Sequence, residues 1–441
     1  MESIENANRA LSAAGATASR AKFVVGALFF INMVGYLDRQ ILTLFVQPIK
    51  HSLGLSDGQM GLMQGAAFVL AFTVAGPFIG RLVDQRNRRN VLAACIAIWS
   101  LSAAASGFAH NATQLFIARM GVGMGEAALL PAALSLIADY FDATRRGKAL
   151  GFFLTGVYAG AGLSLAIVGF ALPGMDGLAA RLAAAGLPIE TWRLVMFAML
   201  LPGALCCALL VFVQEPPRAF AASHAAPLDW SGLRDWVHGI ALYVPHHVSF
   251  ALITFCSFAT TGWVPTVLIR EHGFAAREAG MTYGCLLAVI GCAAAYLGGV
   301  IGDYRSRKAG GHGRVAVAAW CLPFAAAGFA TVALAPNAGI VLAGTALLSA
   351  ALGVAMVIGL LSIADLAPAR SRGQISSIYL IFTGLIGSAG GPACIGYAND
   401  LWGAPGRPLS LLLGLVCLAV LGAAALLLWI CLGKIRARTV R

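Results

Sequence analysis

Charge is what this sequence has least of: 11% of its 441 residues are Asp, Glu, Lys or Arg, and only 18 are acidic. A water-soluble domain carries roughly 25% charged residues, so too few ionised side chains are present to cover a folded surface facing water. Segments of about ten residues with alternating polarity are missing as well, which excludes a transmembrane barrel. No long stretch lies outside the apolar runs, leaving little room for a soluble catalytic domain. A Gly-rich lysine loop to cradle phosphates is lacking, so ATP is not expected as energy source. None of the ten cysteines has metal-ligand spacing with a histidine partner, which points to small packing residues in helices, not a disulfide framework or zinc site. No intramembrane Ser/His, paired-Asp or metal-ligand set stands out, so neither an enzyme nor a cofactor or metal is expected.

What is present is apolar: 59% of the residues, with a mean hydropathy of +0.83. At roughly 20 apolar residues per crossing the length admits about a dozen helical spans, an all-α membrane protein. Apolar runs between charge clusters place them near 22–47, 57–81, 90–109, 112–139, 148–172, 192–214, 242–268, 278–302, 314–334, 337–364, 374–399 and 409–433. The organisation expected is a tail at 1–21, a six-helix bundle at 22–214, a linker at 215–241, a second bundle at 242–433 and a basic tail at 434–441. Residues 173–191 read as a loop with an amphipathic piece around Leu178 to Leu187, either at the membrane interface or simply a loop.

The basic residues fix orientation. With both termini cytoplasmic, inside segments hold 22 Lys and Arg and outside segments 6, a strong positive-inside bias. The net charge of +12 therefore reports topology and attraction to anionic lipid; spread over short loops, it forms no basic face for nucleic acid.

The cytoplasmic punctuation repeats. Span two ends in Gly80, Asp84, Arg86, Arg88 and Arg89, and span eight in Gly299, Asp303, Arg305 and Arg307; the offset is 219. Asp139 with Arg145 after span four matches Asp365 with Arg370 and Arg372 after span ten, at an offset of 226. Such matched clusters indicate two duplicated halves. A glycine one turn before an aspartate lets a neighbouring helix approach, and the carboxylate then accepts bonds from that helix's N-terminus or a loop arginine. This reads as a charge clamp on the cytoplasmic side; stop-transfer charges that only fix topology are the plainer alternative.

On these residues the chain resembles the major facilitator superfamily over its whole length, with Asn87 where the loop signature has glycine. Span five, with Gly151, Gly156, Gly160 and Gly162, lies where many members carry a glycine/proline motif, but lacks the proline. Span eleven has Gly384, Gly387, Gly390, Gly391 and Pro392 in the corresponding place.

Two acidic residues, Asp38 and Glu126, lie deep in apolar runs, with Arg39 and Arg119 as the only basic ones there. Each is costly in hydrocarbon if left alone, so the four should face a cavity or each other. Asp38 and Arg39 stand about 100° apart around their helix and must address different neighbours, whereas Arg119 and Glu126, two turns apart, share a face. Glycines 121, 123 and 125 thin the helix between them, for close packing or for substrate. The set reads either as an ion-pair network that fixes helix register, or as a coupling site where a carboxylate exchanges its arginine for a proton. Glu126 is the first candidate for that exchange and Asp38 the second.

The Tyr36 to Gln40 segment, the string from Arg119 to Pro131, and Asp139-Tyr140-Phe141 with Arg145-Arg146-Gly147 are similar to the Spinster-type branch of the superfamily. That resemblance implies proton-linked movement of lysolipids or sphingosine phosphates, with Asp38, Arg39, Arg119 and Glu126 at its coupling and gating positions. It further implies a monomer in a bacterial inner membrane. The Tyr-x-Asp-Arg element also occurs in organic-anion symporters, so such a symporter or a drug exporter stays open, as does a gradient-independent lipid translocator or receptor. Tyr36, Thr155, Tyr158, Thr261, Trp263 and Tyr379 are the candidate cavity residues, for which packing roles are equally open. Two arginines among apolar walls favour an amphipathic anion as the small-molecule partner, alongside protons and membrane lipid. His246 and His247 are expected at the cytoplasmic interface, without a function.

Overall fold

The computed structural model of the chain describes residues 2–216, 231–368, 370–403 and 407–439, and among these every regular element is a helix. Eleven helices are long and apolar enough to cross a membrane. The longest, Ala276–Ala333, is two crossings: Ala309 and Gly310 leave helical geometry, and Gly310 takes a φ of +56°, open to glycine at no steric cost. Twelve crossings result, six on each side of the linker.

In order they are Ser19–Leu44, Asp57–Gln85, Arg88–Ser106, Ala112–Tyr140, Arg145–Ala184 and Thr191–Val211, then Ile240–His272, the two parts of Ala276–Ala333, Ala338–Leu366, Arg372–Trp402 and Leu409–Ala437. Three boundaries refine the sequence reading. The first crossing begins at Ser19, and the segment before it, back to Glu2, has helical backbone in an Ala-rich composition that favours helix. Span five continues to Ala184, so most of the amphipathic piece at Leu178–Leu187 is its extension, and the chain turns only at Gly186, with φ +84°. The linker contains a short helix, Ser231–His238, whose Gly232 packs on Gln374 of span eleven; residues 217–230 of the linker lie outside the described residues.

Glycine sets the helix spacing. In span four, Gly121 and Gly125 pack on Ser102 and Trp99 of span three, and Gly123 on the backbone of Phe68 in span two, so these three glycines serve close packing. Between the halves, Gly58, Gly61 and Gly65 of span two lie against Tyr397, Pro392 and Ser388 of span eleven, while Gly162 and Gly169 of span five lie against Ala288 and Met281 of span eight. Span eleven widens into a π-helical turn at Thr383–Ala389, just before Pro392, which has no N–H to offer the carbonyl of Ser388.

These contacts all lie toward the face away from the termini. On the terminal face Gly76 and Gly80 of span two, Gly147 and Gly151 of span five, Gly299 of span eight and Gly373 of span eleven look onto open space. The halves are closed against each other on the far face and stand apart on the terminal one.

Candidate functional site

The four intramembrane charges converge where spans one and four cross. Arg39 donates to Glu126 Oε2 from both Nε (2.9 Å) and Nη2 (2.5 Å). A helical side chain leans toward its own N-terminus, which carries the guanidinium back one turn. There it lies 4.7 Å from the Tyr36 ring centroid and 3.9 Å from that of Phe68, a cation held between two π faces. Gly35 faces the Glu126 carboxyl, where a Cβ would stand 3.5 Å from the carboxyl carbon, in ordinary contact. Arg119, wholly buried, donates from Nη1 to the backbone carbonyl of Asp38 at 3.0 Å, not to its carboxylate. Asp38 Oδ1, Glu126 Oε1, and Nε and Nη2 of Arg119 are buried with no hydrogen-bond partner. Such orphaned groups are costly in a purely structural network. Burial is uneven: the Arg39 side chain is 22% exposed and Glu126 3%.

The candidate cavity residues separate. Tyr36 is half-buried beside Arg39, Thr155 is exposed with its hydroxyl on the Phe152 carbonyl, and Thr261 is half-buried with its hydroxyl on Ser257. The side chain of Tyr158 lies outside the described residues. Trp263 and Tyr379 are corrections, because both are packed away. Trp263 is fully buried and donates to the Pro392 carbonyl at 2.9 Å, fastening span seven to span eleven. Tyr379 packs on His246, His247 and Phe250. The two histidines, near the start of span seven, are wholly buried too, with Nε2 of His246 2.7 Å from the Ser362 hydroxyl.

On the far face stands a cluster that sequence reasoning missed. Asp57, at the start of span two, accepts from Arg270 of span seven (2.8 and 2.6 Å), from Asn399 of span eleven (2.7 Å) and from Lys50. Asp400 of span eleven accepts from the backbone N–H groups of Asp57 (2.9 Å) and Gly58 (2.7 Å), so one half caps a helix of the other. The available signal was the Ser56/Gln59 capping box, which marks a helix start beside an acidic residue.

The profile of the Major Facilitator Superfamily matches residues 28–392. The chain belongs to that superfamily. Within it the chain is Spinster-like: protein spinster homolog 1 of Xenopus laevis is 29% identical over 426 residues, 90% of this chain and 76% of that one. Against several other curated relatives the chain spans about half of their length (48%). Over a shorter stretch of 126 residues, 29% of this chain and 28% of the other, it is 38% identical to a probable L-galactonate transporter of Escherichia coli. The fold superposes on a bacterial homolog of the human lysosomal transporter Spinster, crystallised inward-facing and occupied, with a TM-score of 0.75 at 23% identity, covering 95% of this chain and 97% of that one. This is a multi-pass membrane carrier working by alternating access, not an enzyme.

In this carrier the repeated terminal-face motif is built within each half. Arg88, 1% exposed, pairs with Asp139 and with Glu215 (2.6 Å), and also reaches Ser135 and the Pro216 carbonyl. In the second half Arg314 pairs with Asp303 (3.0 Å) and Asp365 (3.1 Å) and donates to the Leu361 carbonyl. The expected clamp through Gly80 and Gly299 is corrected for this conformation. No helix approaches either glycine, Asp84, Arg86, Arg145 and Arg372 are exposed, and Arg305 lies over the Trp320 ring. Glu215 and Arg314 were the residues overlooked.

Proposed function

We propose that this carrier moves an amphipathic anion, lysolipid-like or sphingosine-phosphate-like, together with a proton. It works as a monomer in a bacterial inner membrane, with both termini cytoplasmic and no cofactor beyond the proton gradient. The observation that carries this reading is the Arg39–Glu126 pair. Its cation is partly exposed between two rings, while its carboxylate is buried and has a bare oxygen. A phosphate or carboxylate entering from the open face competes with Glu126 for the guanidinium. Once Arg39 turns to the substrate, Glu126 is left as a lone buried anion, a cost of several kcal/mol that a proton removes. Anion and proton then load together. Asp38, buried beside Arg119 with no partner on Oδ1, is the second proton acceptor in this scheme.

The test is uptake of a labelled lysolipid into proteoliposomes under an imposed pH gradient. Glu126→Gln should still bind the lipid yet lose accumulation driven by the gradient, and Asp38→Asn should impair it. If both variants fold and keep full gradient-driven transport, the coupling role is wrong. An organic-acid symporter is the second reading, supported by the 38% identity to the L-galactonate transporter. A thermal-shift screen of lysolipids against sugar acids separates the two.

A further inference from the structure

A pocket of about 290 Å³ opens on the terminal face, away from the four buried charges, where the start of span one meets the ends of spans four and six. Ser19, Arg20 and Phe23 contribute from span one, Tyr140 from span four, and Phe212 and Gln214 from span six. Its chemistry is divided. Arg20, the Ser19 hydroxyl and the exposed Gln214 amide form one side, with the Tyr140 hydroxyl donating to the Gln214 carbonyl at 2.6 Å. Phe23 and Phe212 form the other, 41% and 72% exposed. The neighbouring carboxylates Asp139 and Glu215 are both taken by Arg88, and Arg20 makes no hydrogen bond or ion pair among the described residues.

We propose that this pocket holds the headgroup of an anionic phospholipid from the leaflet on the terminal face. Arg20 pairs with the phosphate, the hydroxyl and amide groups bond the glycerol oxygens, and an acyl chain leaves along Phe23 and Phe212. Charge complementarity selects the occupant: a cation with no partner among the described residues at the polar end, and exposed aromatic surface at the other. The lipid would tie together the terminal-face ends of spans one and four, the helices that carry Asp38, Arg39, Arg119 and Glu126. The site does not depend on the transport reading above.

Native mass spectrometry of the purified carrier with equal amounts of dioleoyl phosphatidylglycerol and dioleoyl phosphatidylcholine tests it. The wild type should retain one phosphatidylglycerol in preference to phosphatidylcholine, and Arg20→Gln should cut that preference about fivefold, the effect of one cation at an anionic lipid. Phe212→Ala should lower retention of both lipids without changing their ratio. Melting temperatures of both variants in lipid-free detergent, equal to the wild type's, show that they fold. A wild type without preference, or an Arg20→Gln variant that keeps it, overturns the proposal. So does inorganic phosphate that displaces phosphatidylglycerol in an Arg20-dependent way, because the site would then take a free anion.

Discussion

Asp400 caps a helix in the other half of the molecule: its two carboxylate oxygens accept the backbone N–H groups of Asp57 and Gly58, at 2.9 and 2.7 Å. The bond pair exists only while spans two and eleven are closed, so its strength weights closed against open on the far face. Asp400→Asn keeps the shape and removes the charge that complements the helix N-terminus, weakening the cap by about 1 kcal/mol, or roughly fivefold in population. Spin labels at His51 and Leu401, with Cys285 and Cys394 replaced by Ser, should report a larger long-distance fraction in this variant than in the wild type. An unchanged distance distribution would show that the cap does not set the balance.

The same seam is closed by backbone contact. A side chain at Gly61 collides with the Pro392 carbonyl, whereas one at Gly80 meets open space. Gly61→Val should therefore prise spans two and eleven apart, at about 1–3 kcal/mol against the closed state. Gly80→Ala should leave the balance unchanged and slightly stabilise its helix. The same label pair reads both; equal behaviour of the two variants contradicts the packing argument.

Much of this was legible in the sequence, for identifiable reasons. Helical crossings follow from apolar run length, and the duplication from charges at matched spacing. The four intramembrane charges were legible because hydrocarbon makes each one conspicuous. The pairing of Arg314 was also written there: Arg88 and Arg314 are 226 residues apart, as are Asp139 and Asp365, but aligning the halves on Gly80 and Gly299 hid it. The far-face latch was not legible, because Asp57, Arg270, Asn399 and Asp400 meet only through tertiary contact between halves and look like ordinary polar residues at span ends. Trp263 and Tyr379 illustrate a second limit: periodicity places an aromatic residue on a helix, and only the neighbouring helices decide whether it lines a cavity or fills a seam.

The duplicated motif predicts an unequal response. Both arginines are buried, but Arg88 holds two carboxylates, a hydroxyl and a carbonyl, all half-buried, whereas Arg314 holds the Leu361 carbonyl, Asp365 (22% exposed) and Asp303 (61% exposed). Arg88→Ala leaves the half-buried Asp139 and Glu215, 13% and 19% exposed, without their cation and should cost about 2–3 kcal/mol, against about 1 kcal/mol for Arg314→Ala, whose Asp303 partner is largely exposed. Thermal unfolding in detergent should show the larger fall for Arg88→Ala. An equal fall would mean that the two halves use the motif alike.

Arg119 separates a structural network from a working site. It is wholly buried and grips the Asp38 carbonyl, leaving two guanidinium nitrogens unused. Arg119→Met removes a buried cation and leaves Asp38 without a compensating charge, at a cost of about 3–5 kcal/mol. Adding Asp38→Asn should return most of that stability. Gradient-driven transport should stay impaired, because Asp38, the second proton acceptor, is gone. A double variant that recovers both stability and gradient-driven transport would assign these two residues to helix register alone.

The linker offers a pH test with a defined sign. Arg370 bonds Asp235 of the linker helix at 3.1 and 3.3 Å, and this pairing holds the Asp235 carboxyl below its ordinary value. A carboxyl with a lowered folded value contributes to docking fully above its undocked value, about 4, and loses that contribution as pH falls through the lowered one. Protection of residues 231–238 against hydrogen exchange, corrected for intrinsic rate, should therefore be flat from pH 8 to 5. At pH 7, Asp235→Asn should lower it roughly two- to fivefold, the range of an exposed ion pair. Trp236 of the same helix also packs 6.3 Å from the ring of the buried His247. Unchanged protection in Asp235→Asn would show that this ion pair does not hold the docked helix.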